Sequence, residues 1–91
     1  MKTIEEVAKK IFHNMIEGKI GQWDHNEELW EIYCPIEKTQ ISCDLSGNDN
    51  ISEIRFEIMM LIHDFFEEQE MLSYSEVVVR GNELIVDFVE V

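Results

Sequence analysis

Apolar residues recur at helical spacing through the first sixteen positions, where Ile4, Val7, Ala8, Ile11 and Met15 define one stripe. That is the pattern of an amphipathic helix. Thr3 followed by Glu6 predicts a capping box, in which hydroxyl and carboxylate each satisfy an amide left without a partner in the first turn. Gly18 is the natural stop, because glycine reaches positive φ with no Cβ penalty. Lys9 and Lys10 lie on the outer face and Lys19 follows the end. Residues 19–28 carry no sustained period and read as a loop holding one large aromatic, Trp23.

Two alternating segments come next. Trp30, Ile32 and Cys34 point one way and Leu29, Glu31 and Tyr33 the other, the period of a strand. Ile41, Cys43 and Leu45 alternate in the same manner with Gln40, Ser42 and Asp44. Pairing Cys34 with Thr39 across Pro35 to Lys38 sets Trp30 opposite Cys43 and Ile32 opposite Ile41. The two apolar faces then agree, so a hairpin is expected.

SGNDN at 46–50 is turn material. Asn50 with Glu53 repeats the capping-box logic and opens a second helix running to about Gln69. Its main stripe is Ile51, Ile54, Ile58, Leu61, Ile62 and Phe65, widened by Phe56, Met59, Met60, His63 and Phe66. A helix so broadly apolar is central to a core or shared with another chain. The last stretch is a hairpin: residues 76–80 and 83–91 flank Gly81-Asn82, a two-residue connection that matches strand twist. Its register places Val79 opposite Leu84 and Val77 opposite Val86, which with Phe88 make a continuous apolar face; Arg80, Asp87 and Glu76 fall on the other side. The expected fold is therefore α+β, an antiparallel sheet of two hairpins with two helices on one side, in the order α-β-β-α-β-β. Residues 1–91 are expected to form a single small acidic domain.

Charge narrows the function classes. Seven Lys and Arg against twenty Asp and Glu give a net charge of −13. Direct nucleic-acid binding is disfavoured, because phosphate contacts need Lys or Arg, and so is an anionic membrane surface. The longest apolar run, Ile58 to Ile62, falls far short of the ~20 residues that span a bilayer. The acids within MKTIEEVAKK do not suit a secretory signal, and the chain reads as cytoplasmic. Cys34 and Cys43 are too few for a disulfide framework. On the expected hairpin they share a face but not a rung, so two reduced, half-buried thiols are expected.

Candidate chemistry is sparse. Asp24, His25, Cys34 and Cys43 are the plausible metal ligands, but they lack any CxxC or HxxxH spacing that would make them converge. His63 neighbours Asp64, and adjacent helix positions do not face each other; it reads as a packed boundary residue, as does His13. No serine sits in a GxSxG context, and neither cysteine has a recognisable His and Asn or Asp arrangement. Gly18-Lys19-Ile20-Gly21 spells the GxxG of RNA-clamping loops, yet a strand follows it and the charge is wrong. It reads as a helix stop and a turn. No enzyme, metal or cofactor is expected.

Acidity in an unfavourable place remains. From Asp44 to Glu76 nine acids face one base, Arg55. Glu67, Glu68 and Glu70 crowd the end of the second helix, where the macrodipole is negative and each carboxylate costs ~0.3–1 kcal/mol at low salt. They have no cation near in sequence. A solvated face that keeps the chain soluble accounts for them, and so does a basic partner that supplies the missing countercharge and associates quickly. On the second reading the partner-binding residues are Asp64, Glu67, Glu68 and Glu70, joined by Trp23, Asp24, Glu27 and Glu28, which combine an aromatic anchor with charge. Trp30 is expected in the core. Trp23 reads either as an exposed anchor or as a lid over the sheet edge.

In size and charge the chain is similar to bacterial toxin-immunity proteins and phage-encoded counter-defence proteins, many of which are short, acidic and without catalytic groups. That likeness rests on no motif and carries over no residue. It implies an inhibitor, monomeric or homodimeric, that blocks a basic, nucleic-acid-binding surface of another protein by putting carboxylates where phosphates would sit. The alternative is a dimeric chaperone or adaptor using the apolar second helix and a sheet edge.

Overall fold

The computed structural model describes residues 2–33 and 40–90. Its elements run α1 (Ile4–Ile16), β1 (Gly21–Asp24), β2 (Leu29–Ile32), β3 (Gln40–Asp44), α2 (Ile51–Glu68), β4 (Leu72–Arg80) and β5 (Glu83–Glu90). The class is α+β, with the strands divided between two antiparallel sheets: β1–β2, and a second sheet in the order β3-β5-β4.

The first helix forms for the reasons its residues supply. Half of the expected capping box forms: Thr3 Oγ1 accepts from the Glu6 amide at 3.2 Å, while the Glu6 carboxylate accepts from the Thr3 hydroxyl at 3.3 Å rather than from the Thr3 amide. Ala8, Phe12, Met15 and Ile16 are buried, and Gly18 follows at φ +77°. The second helix starts differently from expectation. Asn50 takes a left-handed conformation at φ +59° and makes no side-chain capping bond. Its carbonyl accepts from the Glu53 and Ile54 amides at 3.1 and 3.0 Å instead. Asn tolerates that backbone region better than most residues, so the same residue opens the helix without a capping box.

The pairing of the middle strands corrects the expected hairpin. β2 pairs with β1, setting Trp30 against Trp23 and Ile32 against Gly21. β3 pairs with β5, setting Cys43 against Leu84 and Ile41 against Val86. The proposed Cys34–Thr39 closure lies outside the described residues. The inward-facing side chains are nonetheless those that the alternation predicts: Ile41 and Leu45 are buried, and Trp30, Ile32 and Cys43 pack against the core. Alternation assigns a face, not a partner. The stretch expected to be a loop around Trp23 is half strand. Gly21 permits it: a Cβ there would lie 2.8 Å from the Glu31 carbonyl oxygen and 3.0 Å from Ile32 Cδ1, so only glycine lets β1 approach β2 so closely.

The terminal hairpin has the expected register, with Val79 opposite Leu84 and Val77 opposite Val86. Its first strand begins earlier, at Leu72, and a bulge between Tyr74 and Glu76 shifts the pairing. Central β5 buries Leu84, Val86 and Phe88 beneath the helices. The apolar face is less continuous than expected, for Val79 is 46% exposed on the edge strand. Along α2, Ile54, Ile58, Ile62, Phe65 and Phe66 are buried, while Phe56, Met59 and Met60 on the opposite side are exposed. The broad apolar surface of α2 is thus two faces, one of them uncovered.

Candidate functional site

An aromatic row leads from the hairpin to α2. Trp23 and Trp30, cross-strand partners, meet edge to face at 5.4 Å between centroids. Trp30 meets Phe65 of α2 at 6.2 Å and 90°, and Phe65 meets Phe12 of α1 at 5.8 Å. Such pairs add about 0.5–1.5 kcal/mol each beyond the area they bury. His13 meets Trp30 at 4.9 Å with the rings tilted by 44°, and Glu17 fixes the hairpin to α1 by accepting from the Trp23 amide at 2.9 Å. The same Glu17 oxygen lies 3.5 Å from His13 Nε2.

Between this hairpin and the C-terminal half of α2 lies a groove of about 440 Å³. Its floor and walls are aromatic and aliphatic: Phe12, Trp23, Leu29, Trp30, Leu61 and Phe65. Glu28, Asp64 and Glu68 bring three carboxylates to it. Among the described residues lining it there is no Lys or Arg. Four of the eight residues singled out on charge and aromaticity, Trp23, Glu28, Asp64 and Glu68, therefore meet in one place.

The other four are arranged around it. Asp24 has a local task, accepting from the Asn26 and Glu27 amides at 2.9 and 3.1 Å and so closing the β1–β2 turn, an Asx turn. Glu28 completes that turn at φ +55°, and Glu27 is exposed within it. Glu67 faces away from the groove, with its Oε2 3.1 Å from His63 Nε2; when His63 is protonated the two form an ion pair. Counting histidine as neutral concealed that partner. Glu70 follows α2 and is exposed. Trp23 is half-buried, an anchor already braced by its neighbours rather than a free loop aromatic.

His63, Asp64 and Glu67 bring three donor atoms within 4.8 Å of one another, all exposed. They are the described residues grouped so as to hold a metal ion, a set different from the one weighed on sequence, of which Cys34 is outside the described residues. His63 Nδ1 is 3.3 Å from the Tyr74 hydroxyl. The thiol of Cys43 is pushed up from 9.0 to about 11, first by burial and then by the Asp44 and Glu83 carboxylates. It is protonated at neutral pH and a poor nucleophile. Asp44 is held below the usual carboxylate range by hydrogen bonds from Ser46, its backbone amide foremost.

A pH dependence follows from the raised thiol. Well below pH 9 Cys43 is protonated in both folded and unfolded chains. Between about 9 and 11 the unfolded chain releases the proton while the folded one keeps it, so stability falls as pH rises through that window. The stability difference between wild type and Cys43→Ala, followed by urea denaturation from pH 8 to 11, is expected to shrink across it. A difference constant with pH would count against the raised value.

No protein-family model, curated protein sequence or solved structure matches the chain. The class that fold and site define is thus an α+β protein with an acidic, aromatic-floored groove. No helix among the described residues is long and apolar enough to cross a membrane.

Proposed function

We propose that this chain is a cytoplasmic protein-binding inhibitor of the toxin-immunity or counter-defence kind. It docks on a basic, nucleic-acid-binding surface of a partner and occupies the positions of backbone phosphates. One observation carries the reading: Glu28, Asp64 and Glu68 surround an aromatic groove whose described lining holds no cation. Two of these carboxylates stand on the C-terminal half of α2, whose last turn holds no basic residue although the helix dipole there favours cations. A Lys- or Arg-bearing partner relieves that repulsion. Trp23 and Trp30 supply the rigid apolar surface around which charged contacts gain strength as water leaves.

Capture from native host lysate at low salt, with salt elution and mass spectrometry, tests the reading. The expected result is one basic protein that elutes with salt and releases its nucleic acid when this chain is added. Capture of nothing specific, or of a partner that binds nucleic acid and this chain together, overturns it. A dimeric adaptor is the second reading, with exposed Phe56, Met59 and Met60 as the apolar face that holds its client. An obligate dimer in sedimentation equilibrium would place it first.

A further inference from the structure

The outer face of α2 carries a second apolar surface, distinct from the groove. Phe56 is 61% exposed, Met60 48% and Met59 39%. With His63, Asp64 and Tyr74 of β4 they line a shallow depression of about 300 Å³. Residues 56, 59, 60 and 63 recur at i, i+3, i+4 and i+7, so they form one stripe opposite the buried Ile54, Ile58 and Ile62. Two turns of helix give that stripe a length of roughly 10 Å. Isolated exposed apolar residues are ordinary; a contiguous stripe with a polar rim marks a contact surface.

The rim is one-sided in charge. Glu53, Glu57, Asp64 and Glu68 follow one another along a single flank of the stripe, at helical spacings of four, seven and four residues. Tyr74 closes the other flank. We propose that this face seats a basic amphipathic helix of a partner protein. The partner's apolar side chains lie on Phe56, Met59 and Met60, and its Lys or Arg residues lie along the acidic flank. Methionine suits the role, since its unbranched, polarizable side chain adapts to differing apolar shapes. A straight stripe on a helix presents ridges that a second helix can cross. A second copy of this chain is a poor occupant, because each copy brings a net charge of −13 to the contact and the copies repel. The seat does not depend on the groove reading. The two share Asp64, which lines both depressions, and the acidic flank runs between them.

The test uses a synthetic peptide of about 14 residues, four helical turns, made of leucine and lysine with the leucines on one helical face. Titrated into the protein at low salt, it is expected to shift the methyl resonances of Met59 and Met60 and leave buried Met15 unmoved. Phe56→Ser with Met60→Ser, both exposed and therefore harmless to the fold, is expected to weaken binding at least tenfold. A peptide of the same composition with scattered leucines is expected to bind at least tenfold more weakly than the amphipathic one. Equal binding by the scattered peptide overturns the proposal, as does binding unchanged by the double substitution, or no binding. If the peptide moves the Trp23 and Trp30 indole signals instead, this seat fails and the groove reading stands. Met59 and Met60 shifts that follow protein concentration without peptide would assign the face to a second copy and overturn the proposal too.

Discussion

Truncating Phe65 to alanine is expected to destabilise the protein by about 3–5 kcal/mol, a large part of the ~5–15 kcal/mol that holds a small domain together. Phe65 is 5% exposed and stands at the junction of three elements, touching Phe12 of α1, Trp30 of β2 and Phe66 within α2. Its loss leaves a cavity that neither the hairpin nor the helices can close without breaking other ring contacts. The β1–β2 hairpin forms a sheet of its own, and an isolated two-stranded hairpin is marginal in water. Phe65 is what Trp30 packs on, so the hairpin loosens with it. Urea denaturation followed by tryptophan emission reads both effects: a lower midpoint, and a red-shifted native spectrum as Trp23 and Trp30 become wetter. Phe56→Ala, at an exposed site on the same helix, is expected to stay within about 0.5 kcal/mol of wild type. A Phe65→Ala loss below about 1 kcal/mol would refute the packing described for the row.

How much of this was legible in sequence depends on the range of the interaction. Thr3, Glu6 and Gly18 act within a turn of their own position, and the first helix follows from them. Gly81-Asn82 likewise sets the register of β4 on β5, because a two-residue loop leaves little choice of pairing. The partner of β2 was not legible. Trp30 and Ile32 show which way they face, but nothing local says whether residues 21–24 or 40–44 lie beside them. The decisive signals were weak ones: Gly21, which admits a close strand, and Asp24, whose carboxylate closes the turn between β1 and β2. Asn50 misled for a related reason, since its preferences for capping and for left-handed backbone give the same residue at the same place. The groove lay further out of reach. Acidity at 64–70 and aromatics at 23–30 are each visible as composition, yet only the pairing of β1 with β2 and the packing of Trp30 on Phe65 bring Glu28 to Asp64 and Glu68. Their neighbours Glu67 and Glu70 differ from them in sequence by nothing that charge records, and face elsewhere.

That division permits a sharp test of the groove. Reversing its two helix carboxylates, Asp64→Lys with Glu68→Lys, is expected to abolish capture of the basic partner, with affinity at low salt lowered a hundredfold or more, roughly 2.7 kcal/mol. The same reversal at Glu67 and Glu70, which do not line the groove, is expected to cost only several-fold through the general field. Stability is expected to move the opposite way. Glu68→Lys, in the last turn of α2, complements the helix dipole where the carboxylate opposes it and is expected to stabilise the free protein by about 0.3–1 kcal/mol, with Asp64→Lys, just before that turn, adding less. Asp64 and Glu68 are both exposed, so no buried contact is lost to offset that gain. A variant that denatures at higher urea yet captures nothing would mean that the carboxylates are kept for binding at the expense of stability. Equal losses of affinity from the two pairs would show that the field of the whole chain, and not the groove, attracts the partner. Unchanged affinity in both would return the acids to the role of solvated surface. Each variant replaces two carboxylates by two lysines, so the net change of charge is the same and the two differ in position alone; because Asp64 and Glu68 also flank the outer stripe of α2, capture retained by Phe56→Ser with Met60→Ser assigns the loss to the groove.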